Sequence, residues 1–253
     1  MSGGSRPPVA AIQGAFTWDA LTDIGLARHE NQDAFAVAPE RGLFAVCDGM
    51  GAHARGAAAS VAACEAIRSV VAAAPRATRA ETARALLSQA IHVANERVQG
   101  LGNGTRRPGT TVAALLVVGE SVVIAHVGDS RVYRLRGGVL KQMTHDHSLM
   151  NYFLAQGLIR PEEAASHPQR NVITRALGMS ATVEPDLAIS VVRPGDVFLL
   201  CSDGLAPLGQ EVVRWCLRMI PRRAVRELTR LTLAAGAPDN LTSVVVSFAG
   251  GAA

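Results

Sequence analysis

The chain is poor in lysine, in aromatic residues and in long apolar runs, and each shortage excludes something. Of its 25 basic residues only Lys141 is a lysine; the rest are arginine. Aromatics are 4% of the 253 residues and do not interleave with the basic ones, so the stacking platforms that hold single-stranded nucleic acid are missing and no nucleic-acid partner is expected. The densest basic stretches are "TRRPG" (105–109) and "PRRAVRELTR" (221–230), the second reading as a helix with a solvated arginine face. Four cysteines, Cys47, Cys64, Cys201 and Cys216, form no C-x-x-C pair, which excludes a zinc ribbon; Cys47 and Cys201 sit in apolar strand patterns as small hydrophobes. No run of 18 apolar residues is present, so no membrane span is expected. The start, "MSGGSRPPVAAIQGAF", has no apolar core of the kind a signal peptide needs. Together these absences point to a reducing cytoplasm and no membrane partner. "GMGAHARG" does not fit G-x-G-x-x-G, no G-K-[ST] follows it, and there is no G-x-S-x-G elbow. Linkers, low-complexity stretches and repeats are also lacking, which predicts a flexible tail over 1–13 and a single domain over 14–250.

What is present is an ordinary globular balance, 49% hydrophobic and 18% charged, with a net charge of +4. The pattern predicts a strand, a polar loop and a strand over 15–38, then a strand over 42–47 ending at Asp48. The Ala- and Val-rich stretch from Gly56 to about Ala74 reads as a buried helix that Pro75 ends. Thr78 and Glu81 have the spacing of a capping box for a second helix reaching about Val98. A meander follows: "TTVAALLVV", "VVIAHV", "RVYRLR" and "VLKQMT" separated by the short turns "GES", "GDS" and "GG". Residues 146–178 read as helix and loop. "VFLLCSDG" (197–204) is a buried strand, one or two helices run from about Gln210 to Ala235, and "LTSVVVSF" (241–248) is the last strand. Strands in antiparallel groups and helices in separate pairs make this an α+β chain. Two antiparallel sheets face to face, with helix pairs on both outer faces, would bury the whole: a four-layer α/β/β/α sandwich.

Two of the apolar strands end on the same device. "VCDG" (46–49) and "LCSDG" (200–204) each place a carboxylate at a strand end and follow it with glycine, which lets backbone approach closely. Asp33 in "NQDAF", Asp129 in "VGDSR" and Asp239 in "APDN" sit at comparable points. Any one of these acids fits an ordinary turn. Five of them, brought together by a fold, would make an oxygen-only set suited to Mg²⁺ or Mn²⁺. "HDH" (145–147) reads as a helix-capping Asp146 between two surface histidines, with a metal pair as the alternative.

In order, "TDIGLARHENQDAF", "VCDGMGAHARG", "GTT", "VGDSRVYRLRGG", "MTHDHSL", "HPQRNVITRALG", "LLCSDGL" and "PDNLTSVVV" resemble the bacterial branch of the metal-dependent serine/threonine protein phosphatases of type 2C, over about residues 15–248. The resemblance implies the same β-sandwich and a hydrolase acting on phosphoserine and phosphothreonine in proteins. It implies that Asp48 bridges two Mg²⁺ or Mn²⁺ ions with the Gly49 carbonyl on one of them, that Asp203 and Asp239 complete the other, and that Asp33 acts on the first through a water. Asp129 would hold a weaker third ion with Asp203. Arg28 would clamp the phosphate, and His53 would protonate the leaving group or hydrogen-bond to metal-bound water. Residues 145–170 would form a flap. Two cations about 3.5–4 Å apart activate a bridging water and neutralise an in-line displacement, and a guanidinium fork suits two phosphate oxygens. The implied partners are phosphoproteins, with a Ser/Thr kinase and its targets as the setting and a monomer as the state. No ligand position departs from the family pattern; Pro207 implies a trimmed helix after "CSDGL". A non-catalytic phosphoprotein-binding regulator and another two-metal phosphoesterase, such as a nuclease, are the rival readings.

Overall fold

The computed structural model describes residues 16–51, 55–102, 107–164 and 167–249; the tail expected over 1–13 lies outside them. In chain order the strands are β1 (Phe16–Asp23), β2 (Asp33–Ala38), β3 (Leu43–Met50), β4 (Gly109–Thr110), β5 (Val112–Val118), β6 (Ser121–Val127), β7 (Arg131–Arg136), β8 (Val139–Gln142), β9 (Asp186–Val191), β10 (Val197–Cys201) and β11 (Leu241–Phe248). The helices are α1 (Arg55–Ala73), α2 (Ala80–Gly100), α3 (Leu149–Ala155), α4 (Pro161–Ala164), α5 (Gln210–Cys216) and α6 (Pro221–Ala234). All pairings are antiparallel. One sheet runs β1-β11-β10-β7-β8; the other runs β2-β3-β5-β6-β9, with β4 paired to β3.

The two sheets face each other across an apolar layer that includes Phe44, Val46, Leu115, Ile124, Phe198, Leu200, Val244 and Phe248. α1 and α2 cover the outer face of the β3 sheet, and α5 and α6 cover the outer face of the β10 sheet. This is the expected four-layer sandwich. α1 meets its sheet through Gly56, Ala59, Ala63, Ala66, Ile67 and Val71, a stripe at helical spacing whose small side chains allow close approach. By length and composition α1 could also cross a membrane; here that stripe packs on β2, β3 and α2.

Four local expectations are corrected. The meander is not one sheet: β5 pairs β6 and β7 pairs β8, but β6 and β7 belong to different sheets. The "GDS" turn is therefore a crossing between layers, whereas Gly137 and Gly138, both at positive φ, make the tight hairpin that glycine permits. The capping box fails: α2 starts one residue later, with Arg79 as its N-cap and no side-chain cap bond. Asp146 caps nothing; its carboxylate takes the Arg131 guanidinium at 2.6–3.1 Å, and Ser148 caps α3. The edge strand β9 was not read from the sequence.

Candidate metal-binding active site

The acids collect at one end of the sandwich, where the chain crosses between sheets. The β1–β2 loop carries Arg28, β2 opens on Asp33, and Asp48 lies near the end of β3 as the direct cross-strand partner of Asp33. Asp129 sits in the β6–β7 crossing. Asp203 begins the short 3₁₀ turn after β10, and Asp239 precedes β11. Arg28, Asp48, Gly49, Met50, Asp129, Asn171, Ile173, Asp203 and Asp239 line one open cleft of about 240 Å³, and Asp33 is buried beside it. His53, given a role by the resemblance, lies outside the described residues.

Backbone and hydroxyl groups fix these side chains in place. The Asp48 N–H donates to Thr111 Oγ1 (2.9 Å), its carbonyl accepts from the Thr111 N–H (2.8 Å) and from Thr110 Oγ1 (2.8 Å), and Thr111 Oγ1 meets Ser130 Oγ at 2.7 Å. The Asp48 backbone is thus clamped to the residue after Asp129. Ser202 Oγ donates to Asp33 at 2.6 Å and accepts from the Thr242 N–H, joining the sheets beneath the cleft. Asn240 accepts from the Gln32 N–H (2.8 Å) and donates to the carbonyls of Ile24 (2.8 Å) and Glu30 (2.9 Å), so it shapes the loop that carries Arg28. None of Thr110, Thr111, Ser202, Asn240, Asn171 or Ile173 was given a role from sequence. All six lie in the motifs "GTT", "HPQRNVITRALG", "LLCSDGL" and "PDNLTSVVV", but hydroxyl, amide and alkyl groups have no chemistry that singles them out before their partners are known.

The glycines after Asp48 and Asp203 serve packing of backbone on backbone. A Cβ on Gly49 would run into the Gly56 carbonyl, and one on Gly204 into the Asn240 carbonyl. Each glycine thus lets a neighbouring chain segment press against the carboxylate's strand end.

Electrostatically the set is unbalanced. Burial, then the charge of its neighbours Asp33, Asp203 and Asp129, drives Asp48 well above the usual carboxylate range. Burial lifts Asp129 to about 7, with Asp203 adding to it. Asp33 rises to about 6, mainly from burial, against the lowering effect of the Ser202 and Thr242 hydroxyls. Asp203 is raised by burial and Asp239. Arg28, bonded to Asp239 at 2.6 Å, is the basic side chain on the cleft wall. Clustered carboxylates with raised proton affinity and an all-oxygen lining are the environment a hard divalent cation relieves. Asp33, Asp48, Asp129, Asp203 and Asp239 thus suit Mg²⁺ or Mn²⁺.

A second group of ligating side chains lies behind the Asp129 turn. His126, His147 and Asp186 bring one ligand atom each to within 4.8 Å of one another; here the single acid is met by cations and imidazoles, although His147 Nε2 makes no well-aligned hydrogen bond. His126 Nε2 donates to the Gly128 carbonyl (3.2 Å), His147 Nδ1 accepts from the Gly128 N–H (3.0 Å), His147 Nε2 lies 3.2 Å from Asp186 Oδ2, and Asp186 Oδ1 accepts from Arg175 (2.8 Å). His147 is mostly buried rather than a surface histidine, and His145 is exposed.

The family description "Protein phosphatase 2C" matches residues 27–244. The serine/threonine protein phosphatase PstP of Mycobacterium tuberculosis is 37% identical over 246 residues; the match covers 94% of this chain and 46% of PstP, so the chain spans about half the length of that relative. Protein phosphatase PhpP of Streptococcus pneumoniae is 34% identical over 235 residues, covering 90% of this chain and 95% of PhpP. The crystal structure of the PstP catalytic domain with two manganese ions superposes with a TM-score of 0.82 at 33% identity, covering 93% of this chain and 99% of that one. The chain belongs to the protein phosphatase 2C family.

Proposed function

We propose that this chain is a Mg²⁺- or Mn²⁺-dependent phosphatase that hydrolyses phosphoserine and phosphothreonine in proteins, opposing a Ser/Thr kinase. The observation that carries the reading is the convergence of five carboxylates from both sheets on one cleft with a guanidinium at its rim. Two divalent cations in that cleft would supply an activated water and neutralise the phosphate dianion. Asp48, whose backbone is clamped by Thr110 and Thr111, would lie between them, with Asp203 and Asp239 on one side and Asp33 and the Gly49 carbonyl on the other. Arg28 is over half exposed and can turn its fork from Asp239 to two phosphate oxygens. The cleft is open, as a phosphorylated side chain on a protein surface requires. His53 in the leaving-group role rests on the resemblance alone.

The test is Mn²⁺-stimulated hydrolysis of an aryl phosphate and of phosphoserine peptides, abolished by EDTA and by Asp48→Asn or Asp203→Asn in variants that keep the wild-type circular dichroism. Phosphopeptide binding without turnover would favour a regulator, and cleavage of DNA or RNA a nuclease. The reading includes a cytoplasmic monomer, for which fractionation and light scattering are the checks; all four cysteines are buried and unpaired, a state that a reducing compartment preserves.

A further inference from the structure

The crossing that carries Asp129 is held from two sides. On one, Gly128 presses against Thr111 so closely that a Cβ would lie 2.6 Å from its Cγ2, and Thr111 is bonded to Ser130 and to Asp48. On the other, three hydrogen bonds converge on Gly128 itself. Its N–H donates to His147 Nδ1 (3.0 Å), and its carbonyl accepts from the His147 N–H (2.8 Å) and from His126 Nε2 (3.2 Å). The two imidazoles lie against each other with centroids 4.2 Å apart. Gly128 is at φ +106, a conformation open to glycine, and its N–H and carbonyl are bonded by His147 and His126 rather than by a strand partner.

His147 also belongs to the segment that closes the far wall of the cleft. Its carbonyl accepts from the Thr174 N–H (2.7 Å), Ser148 bridges Ile173, and Ile173 and Asn171 line the cleft. Its Nε2 faces Asp186, which Arg175 holds. Burial keeps the ring below its ordinary pKa, which leaves Nδ1 as an acceptor. No other described side chain bonds the backbone N–H of the residue preceding Asp129.

We propose that His147 is a positioning residue that fixes the Asp129 crossing against the Ile173 wall, and so sets how tightly the outermost cation of the acid cleft is held. The proposal rests on the reading of Asp129 as a ligand of that cation. The inner acids, Asp48 and Asp33, are held by the strand pairing and by Thr110, Thr111 and Ser202, so loss of His147 reaches Asp129 alone.

The experiment is calorimetric titration of the EDTA-stripped full chain with Mn²⁺, for wild type, Asp129→Asn, His147→Leu and His147→Asn. Asp129→Asn should abolish the weakest binding event. His147→Leu should weaken that event by about tenfold or more, the range that outer partners of metal ligands command, and leave the tighter events within about twofold. His147→Asn, whose Oδ1 can stand where Nδ1 accepts the Gly128 N–H, should recover most of the loss. An unchanged weakest event in His147→Leu while Asp129→Asn abolishes it overturns the proposal, as does uniform weakening of all events or failure of the asparagine to rescue. A titration unaffected by Asp129→Asn overturns the ligand reading itself, and the proposal with it. Should His147→Leu not fold, hydrogen exchange on the metal-free wild type decides: the Gly128 amide should be protected as strongly as strand amides of β6, and fast exchange overturns the proposal.

Discussion

The molecule has two clusters of metal-ligating side chains on either side of the Asp129 crossing, and they differ in how their charges and lone pairs are used. In the His126–His147–Asp186 cluster the one acid is balanced, by Arg175 at 2.8 Å and by His147 Nε2 at 3.2 Å, and each ring bonds Gly128. In the acid cleft burial, and then neighbouring carboxylates, raise the proton affinity of Asp33, Asp48, Asp129 and Asp203, and Arg28 supplies one opposing charge. Proximity of ligand atoms alone would have picked the first cluster. The electrostatic imbalance picks the second. A binding site is where a fold leaves charge in need of a partner, and the teaching of this pair is that charge balance, not convergence, separates the two.

The sharpest way to break the contrast is Asp48→Asn. Charge stabilisation of several kcal/mol at the reacting centre converts to a loss of roughly 10³-fold or more in kcat/KM. In EDTA the same variant should melt higher than wild type, because a repelled charge is gone, whereas Asp186→Asn should melt lower. A lower metal-free melting temperature for Asp48→Asn would erase the distinction.

Acidity separates the clusters next. Asp33 and Asp129 have folded-state pKa values of about 6 and about 7, above the ordinary 3.8. Their contribution is fully present below the unfolded value and is lost as pH rises through 6–7. His126 has a folded value of about 4, below the ordinary 6.5, because burial and then His147 disfavour its cation. Its contribution is present above 6.5 and is lost as pH falls towards 4, by up to roughly 3 kcal/mol. In metal-free melts, Asp129→Asn should therefore stabilise the protein at pH 8 and have little effect at pH 4. His126→Asn should flatten the acid limb between 6.5 and 4. Identical pH profiles for the two variants would contradict the opposed signs.

Arg28→Ala should raise KM for phosphopeptides by roughly 10- to 100-fold, about 1.4–2.7 kcal/mol, with lysine recovering only part because it lacks the fork. The smallest effect expected is from Asn240→Ala. It strands the Ile24 and Glu30 carbonyls and the Gln32 N–H, costs about 1–2 kcal/mol of stability, and loosens the Arg28 loop enough to raise KM a few-fold while kcat holds. A fall in kcat instead would mean that Asn240 reaches the acids directly.

Much of this was legible before the structure, and the exceptions have reasons. Apolar runs that stop on Asp-Gly located the starts of β3 and β10 to within a residue and their ends to within three, because a buried strand and a polar end are composition signals. Asp129 was found as an acid but its turn was misread as a hairpin. "VVIAHVGDSRVYRLR" looks the same whether β6 and β7 pair or part company, since two strands joined by a short polar turn carry no local mark of which sheet each joins, and only pairing with β5, β9, β10 and β8 decides. β9 escaped because an edge strand with four of its six residues exposed has a weak pattern. Thr78 and Glu81 had the right spacing for a cap, yet the chain enters α2 one residue on, so local propensity yielded to packing. Thr110, Thr111 and Asn240 were on the page and unassigned, because a hydrogen bond between residues 62 or 210 apart has no local trace.

The apolar layer between the sheets has one more consequence. Asp33 and Asp48 are mounted on one sheet, Asp203 and Asp239 at strand ends of the other, Asp129 on the crossing between them, and Phe44, Phe198 and Phe248 stand between the sheets as spacers. The thickness of that filling is the calliper setting of the cleft. Trimming the fully buried Phe198 should therefore be felt at the rim of the cleft, through the separation of the sheets rather than through any contact with the acids.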